Sequence, residues 1–205
     1  KQQSRAASIL LSDPGLEALV STISLRQTVR RGLAFDRCHA AAIMNRVIEG
    51  DVDLFRQGLD VIAKAAGKLV VGASNAVALE ALADLDPSRL ILVSPRLRDA
   101  VIERHLSAGG AAVIKLWNAE CDRIVLYDDD QVITAIGVDP TETRSGTRAQ
   151  ARRIEAKMYA VALAYSAGMT GPDIEKAIRN APTPVPWPNG QAPTDAVAGE
   201  KVSAS

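Results

Sequence analysis

The sequence predicts an α/β fold, a largely parallel sheet flanked by helices with a small antiparallel extension. Three observations predict it. Short apolar runs of strand length recur without polar alternation, as strands buried on both faces of a parallel sheet read. Amphipathic helical patterns lie between them, giving the strand–helix–strand rhythm of crossover connections. Past the middle of the chain, short β-type runs follow one another across polar turns, as in a hairpin or meander.

Taken in order, Ala18–Ile23, Ala40–Met44, Leu69–Val71 and Leu90–Val93 are the candidate parallel strands. Between the last two, Ala76–Leu85 spaces Val77, Leu79, Leu82 and Leu85 for one face of a helix. Arg96–Ser107 carries Leu97, Val101, Ile102 and His105, and Gly109-Gly110 supply a stop. Ala112–Trp117, Arg123–Tyr127 and Val132–Ile136 are the antiparallel candidates, with Asp128-Asp129-Asp130 as a turn. After Pro140 a stripe of Ile154, Met158, Val161, Ala162 and Tyr165 predicts a helix ending at Gly168. Thr170-Gly171-Pro172-Asp173 then resembles a capping box and opens a last helix through Ile174, Ala177 and Ile178. Five of the ten prolines fall in the last 24 residues, around Trp187. The domain is therefore read as 1–181, and 182–205 as an extended, disordered tail with Trp187 as a candidate docking residue.

Composition narrows the function classes. The 205 residues carry 24 Lys+Arg against 24 Asp+Glu, so no bulk field favours nucleic acid or an anionic membrane. Aromatics at 3% argue against a stacking platform for single-stranded bases. No apolar run reaches the ~18 residues of a membrane span, and the expectation is a soluble, cytoplasmic protein. The first residue is Lys1, with no methionine and no signal-like segment, which reads as a processed or an artificial start. Cys38 and Cys121 stand far apart, and with His39 and His105 they complete the soft-ligand inventory. No metal-ligand spacing occurs, so no metal site is expected, and the thiols read as reduced.

Other constellations have bland readings. Cys38-His39 is not a nucleophile–base pair if both lie on a strand, because neighbours there face opposite ways. Asp128-Asp129-Asp130 lacks the spacing of a calcium loop. Arg26, Arg30 and Arg31, with Arg37 nearby, are candidate phosphate- or anion-binding residues, set against a solvated face with local ion pairs. Arg148, Arg152, Arg153 and Lys157 read as a solvated helix face.

One resemblance is extended. The segment Arg31-Gly32-Leu33-Ala34-Phe35-Asp36-Arg37-Cys38-His39, running through an apolar strand to Met44-Asn45, resembles the G-L-G-F-D-R-C-D…T-N stretch of cyanophycin synthetases, in their Mur-ligase-like half. Gln3-Ser4-Arg5 and Leu10-Leu11-Ser12-Asp13-Pro14 resemble that family's upstream S-A-R and L-x-D-P. Arg104-His105-Leu106-Ser107-Ala108-Gly109-Gly110 resembles its R-H-x-x-G-G, and Ala162–Gly168 its closing alanine-rich helix. The likeness is colinear from about residue 3 to about residue 180. It implies a Mur-ligase central fold and ATP- and magnesium-dependent amide ligation through an acyl phosphate.

That chemistry needs a phosphate loop, metal-holding carboxylates and cations for the developing phosphoryl charge. The sequence departs from the family at these points. No G-x-x-x-x-G-K-[ST] occurs. Thr22 stands where the family has its magnesium-binding Glu, and Arg26 and Gln27 replace two glycines. Arg46-Val47-Ile48-Glu49-Gly50 replaces D-H-x-G, and Gly72-Ala73-Ser74-Asn75 replaces the nucleotide-facing N-A-D-D. Ala156 takes the place of an Asn, and Lys64 is a poor stand-in for the family lysine. The expectation is a non-catalytic pseudo-ligase without cofactor or catalytic residues, working as a homo-oligomer or as an accessory subunit of another protein. The alternative is a ligase subunit whose phosphate loop is supplied by another chain or a removed N-terminal segment.

Overall fold

A computed structural model of the chain describes residues 19–44, 51–95, 99–117, 122–139 and 147–181. The described elements are α1 (Leu25–Arg31), β1 (Cys38–Ile43), α2 (Val52–Ala65), β2 (Ala66–Gly72), α3 (Ala76–Ala81), β3 (Leu90–Ser94), α4 (Ala100–Ser107), β4 (Ala111–Trp117), β5 (Asp122–Asp128), β6 (Gln131–Val138), α5 (Arg148–Ser166) and α6 (Gly171–Asn180). The six strands form one sheet in chain order, β1 to β6. Strands β1 to β4 pair in parallel, and β4–β5 and β5–β6 are antiparallel. The predicted α/β class and its antiparallel extension are therefore what the chain adopts.

Two apolar layers sandwich this sheet. On one face Phe55, Leu59 and Ile62 of α2, Ala78 of α3, and Ile102 and Leu106 of α4 pack on Leu69, Val71, Leu90, Leu92 and Ile114. On the other, Ile154, Met158, Val161 and Ala162 of α5 and Ile174 of α6 cover Val70, Ile91, Val93, Val113, Ile124 and Ile136. Strand β3 is buried along its whole length because its side chains alternate between two apolar layers. The missing polar alternation in Leu90–Val93 has that cause. Helices α2, α3 and α4 connect successive neighbouring strands on a single face, so the three crossovers share one hand.

Local chemistry explains the element ends. Asp99 caps α4, its Oδ1 accepting from Val101 N at 3.0 Å and Ile102 N at 3.1 Å. Beyond α4, Gly109 adopts φ 80° and Gly110 follows without a side chain. A Cβ on Gly110 would lie 2.2 Å from His105 Nε2, so the ring of His105 needs a glycine there. Asp129 and Asp130 take φ 45° and 62° between paired Asp128 and Gln131. This is a two-residue turn whose two positive φ angles match the twist of the flanking strands.

Some expectations are corrected. The apolar run 18–23 is not a strand over its described part. Residues 19–24 are irregular, with Val20 91% exposed, and lead into α1. The helix after Leu69–Val71 is shorter than 76–85, ending at Ala81. The capping box sits at the start of α5, not of α6. Thr147 Oγ1 accepts from Gln150 N at 3.3 Å, and Gln150 Oε1 accepts from Thr147 N at 3.2 Å. Thr170 instead donates its hydroxyl to Asp173 Oδ2 at 2.5 Å, because the shorter Asp side chain meets the hydroxyl before it can reach the backbone. The proposed tail 182–205, with Trp187, lies outside the described residues, as does Cys121.

Candidate carboxyl-edge site

In an open parallel sheet, ligands bind outside the carboxyl ends of the strands. Here that edge is formed by Ile43 and Met44 after β1, the turn Gly72-Ala73-Ser74-Asn75 after β2, Ser94 at the end of β3, and Lys115–Trp117 at the end of β4. The start of β5 reaches the same edge, since Asp122 stands opposite Trp117.

The β2 turn is held by backbone. Ala73 N donates to Val93 O and Asn75 N to Gly72 O, both at 2.9 Å. Asn75 Oδ1 accepts from Ala78 N at 3.1 Å and so caps α3. Tyr159 of α5 reaches the same region: its buried hydroxyl donates to Ile43 O at 3.3 Å and lies against Gly72. Ser94 is buried at this level. The turn itself presents small neutral side chains and no carboxylate.

The charged groups of the edge lie further along, on β4 and β5. Lys115 Nζ is 3.8 Å from Asp122 Oδ2 and 4.5 Å from the centroid of the Trp117 ring. Sequence reasoning singled out none of the three. Strand alternation was the available signal, because it puts Lys115 and Trp117 on one face.

The residues singled out from sequence do not converge. Arg26 pairs with Asp51 at 2.6 Å, both half-exposed, and Arg30 and Arg31 are exposed in the last turn of α1. Arg26 is thus held in a local surface ion pair. Cys38 and His39 are consecutive in β1, Cys38 half-buried and His39 exposed, and burial pushes the Cys38 thiol pKa up. His105 lies at the opposite edge, its Nε2 donating to Leu90 O at 3.0 Å, and burial holds its pKa below the ordinary imidazole value. Asp128 accepts a hydrogen bond from the Tyr165 hydroxyl, whose pKa is pushed to about 12 by burial and then by that carboxylate. Asp129 and Asp130 are exposed in the turn. Among the described residues no group of three or more His, Cys, Asp and Glu is placed to hold a metal ion.

The fold defines a class and no more: a sheet with four parallel and two added antiparallel strands between two helical layers. No protein-family model and no curated protein matches the chain. Among the described residues no helix is long and apolar enough to cross a membrane.

Proposed function

We propose that this chain is a catalytically silent Mur-ligase-like domain that acts by association, as a homo-oligomer or as a subunit beside an active enzyme. One observation carries the reading. The turn after β2, aligned with the family's nucleotide-facing N-A-D-D, presents Gly72, Ala73, Ser74 and Asn75, and the Asn75 side chain caps α3. Hard cations at phosphates need oxygen ligands, and this turn offers no carboxylate. Among the described residues a six-stranded sheet with an apolar layer on each face is meanwhile formed around it, which supports the reading of a kept scaffold.

Isothermal titration of the purified chain with Mg-ATP tests the silent part of the reading. No heat is expected, and saturable micromolar binding would overturn it. Solution molar mass together with pull-down and mass spectrometry tests the association part. A strictly monomeric chain that captures no protein refutes that part.

A further inference from the structure

Helix α5 presents to solvent a charge pattern that works against its own stability. The positive end of a helix favours acids, yet the first turn of α5 contains none and begins with Arg148. Arg148 and Arg152 are four residues apart, and so are Arg153 and Lys157, which makes two like-charge pairs of surface neighbours. The single acid of the helix, Glu155, is half-buried. Elsewhere the same spacing serves attraction: Lys64 pairs with Asp60 in α2, and Arg179 with Glu175 in α6. Among the described residues Arg148, Arg152 and Arg153 have no carboxylate partner, and all three are exposed.

Helical periodicity sets the four cations in two rows, Arg148 with Arg152 and Arg153 with Lys157, along about 14 Å of the outer face. Between the rows run Ala149, Ala156 and Ala160, all exposed. Ile154, Met158, Val161 and Ala162 occupy the side against the sheet. The outer face is thus an alanine floor between two basic rims.

The rims select an anionic partner, and the floor selects its kind. Alanines offer a nucleic acid no hydrogen bond. No ring is placed for a base to stack on, since Tyr159 is buried against Ile43 O and Tyr165 is bonded to Asp128. Small side chains do let a second helix approach closely, and one whose apolar ridge is flanked by acids meets the floor and both rims together. The chain supplies no such helix. No described helix has more than two acids, and the segments 1–18 and 182–205 hold two each. We propose that the outer face of α5 docks an acidic amphipathic helix of a different protein. This gives a face and a partner chemistry to the association part of the function proposed above, on which it rests.

The probe is a labelled helical peptide with an alanine–leucine ridge flanked by glutamates, titrated with the full chain and followed by fluorescence anisotropy. The same peptide with glutamines for glutamates and a short single-stranded RNA are titrated beside it. Saturable micromolar binding of the glutamate peptide is expected, weakened about tenfold in the double variant Arg152→Glu, Arg153→Glu and weakened again by added salt. Ala156→Lys separates a seated helix from plain charge attraction. An added cation strengthens plain attraction, whereas a long side chain on the floor obstructs a docked helix, and weaker binding is expected. Circular dichroism establishes that both variants are folded, and if one is not, the other decides. The proposal is overturned by no saturable binding of the glutamate peptide, by equal binding of the glutamine peptide, by tighter binding of the RNA, or by affinity unchanged in a folded variant. If the pull-down still captures a protein in any of these cases, association stands and this face is refuted.

Discussion

Helix α2 passes into strand β2 with no intervening loop: Ala65 ends the helix and Ala66 begins the strand. No glycine in a left-handed conformation closes the helix, so its last carbonyls need another donor. Arg89 supplies it from the turn before β3. Its Nη2 donates to Ala63 O at 2.8 Å and Ala66 O at 2.7 Å, and its Nε to Gly67 O at 3.3 Å. One guanidinium thus fastens helix end, strand start and the next turn. Replacing it by alanine removes two short charge-assisted bonds to part-buried carbonyls and one longer exposed one. Hydrogen bonds to a charged group contribute about 1.5–3 kcal/mol each, and water will reach some of the freed carbonyls. The expected loss is about 2–4 kcal/mol for Arg89→Ala. Arg89→Lys keeps a positive charge near the helix C-terminus, about 0.3–1 kcal/mol, but cannot fork across three carbonyls. It should recover less than half. Urea unfolding monitored by circular dichroism measures both, and with a slope of about 2 kcal/mol/M the midpoint should fall by about 1–2 M for the alanine variant while the slope stays constant. An alanine variant within about 0.5 kcal/mol of the parent, or a lysine variant equal to it, refutes the capping argument.

Three further outcomes follow from the α4 end and the hairpin. Gly110→Ala should cost about 1–3 kcal/mol in urea unfolding, because its Cβ would overlap the His105 ring, and adding His105→Ala should return part of that loss. His105 is held neutral by burial, so its folded pKa lies below its unfolded value of about 6.5. Its contribution is intact above that pH and is lost as pH falls through it, since the unfolded chain then binds the extra proton. The stability difference between the parent and His105→Gln should therefore change in the parent's disfavour between about pH 7.5 and pH 5.5, and a pH-independent difference would contradict this. Asp129→Val should destabilise by about 1–2 kcal/mol in thermal melting, because a β-branched residue resists φ 45°, whereas Asp129→Asn should be neutral or better.

What could be read from the sequence depended on how many constraints each segment carried. Leu90–Val93 is apolar at every position and bounded by polar residues, and it is β3. The stripe from Ile154 to Tyr165 and the stop at Gly168 describe α5, because four of its residues must meet one face of the sheet. The run 18–23 looked equally apolar. Composition alone cannot say whether a strand has a neighbour to pair with, and Val20 has no apolar layer to enter. Helix α2 went unassigned even though Phe55, Leu59 and Ile62 follow helical spacing. Gly58 interrupts the pattern, and its purpose is visible only in three dimensions, where Leu25 of α1 packs directly against it. Of the candidate edge, the turn 72–75 was legible as a short stretch of small neutral residues. The Lys115–Asp122 contact was not, since it joins two strands and depends on their register.

The strand order has a consequence for how the chain reaches this state. Each strand pairs with the strand next to it in sequence, so the sheet can grow by successive short closures from β1 to β6. Helix α5 is different. It lies across β1 to β5, and its Tyr159 reaches back over 116 residues to the carbonyl of Ile43. Until that helix arrives, Val70, Ile91, Val93 and Val113 present a bare apolar face to water. The last long helix is therefore the clasp of the domain, and a nascent chain that has emerged only as far as β6 would hold a formed sheet still in need of a cover.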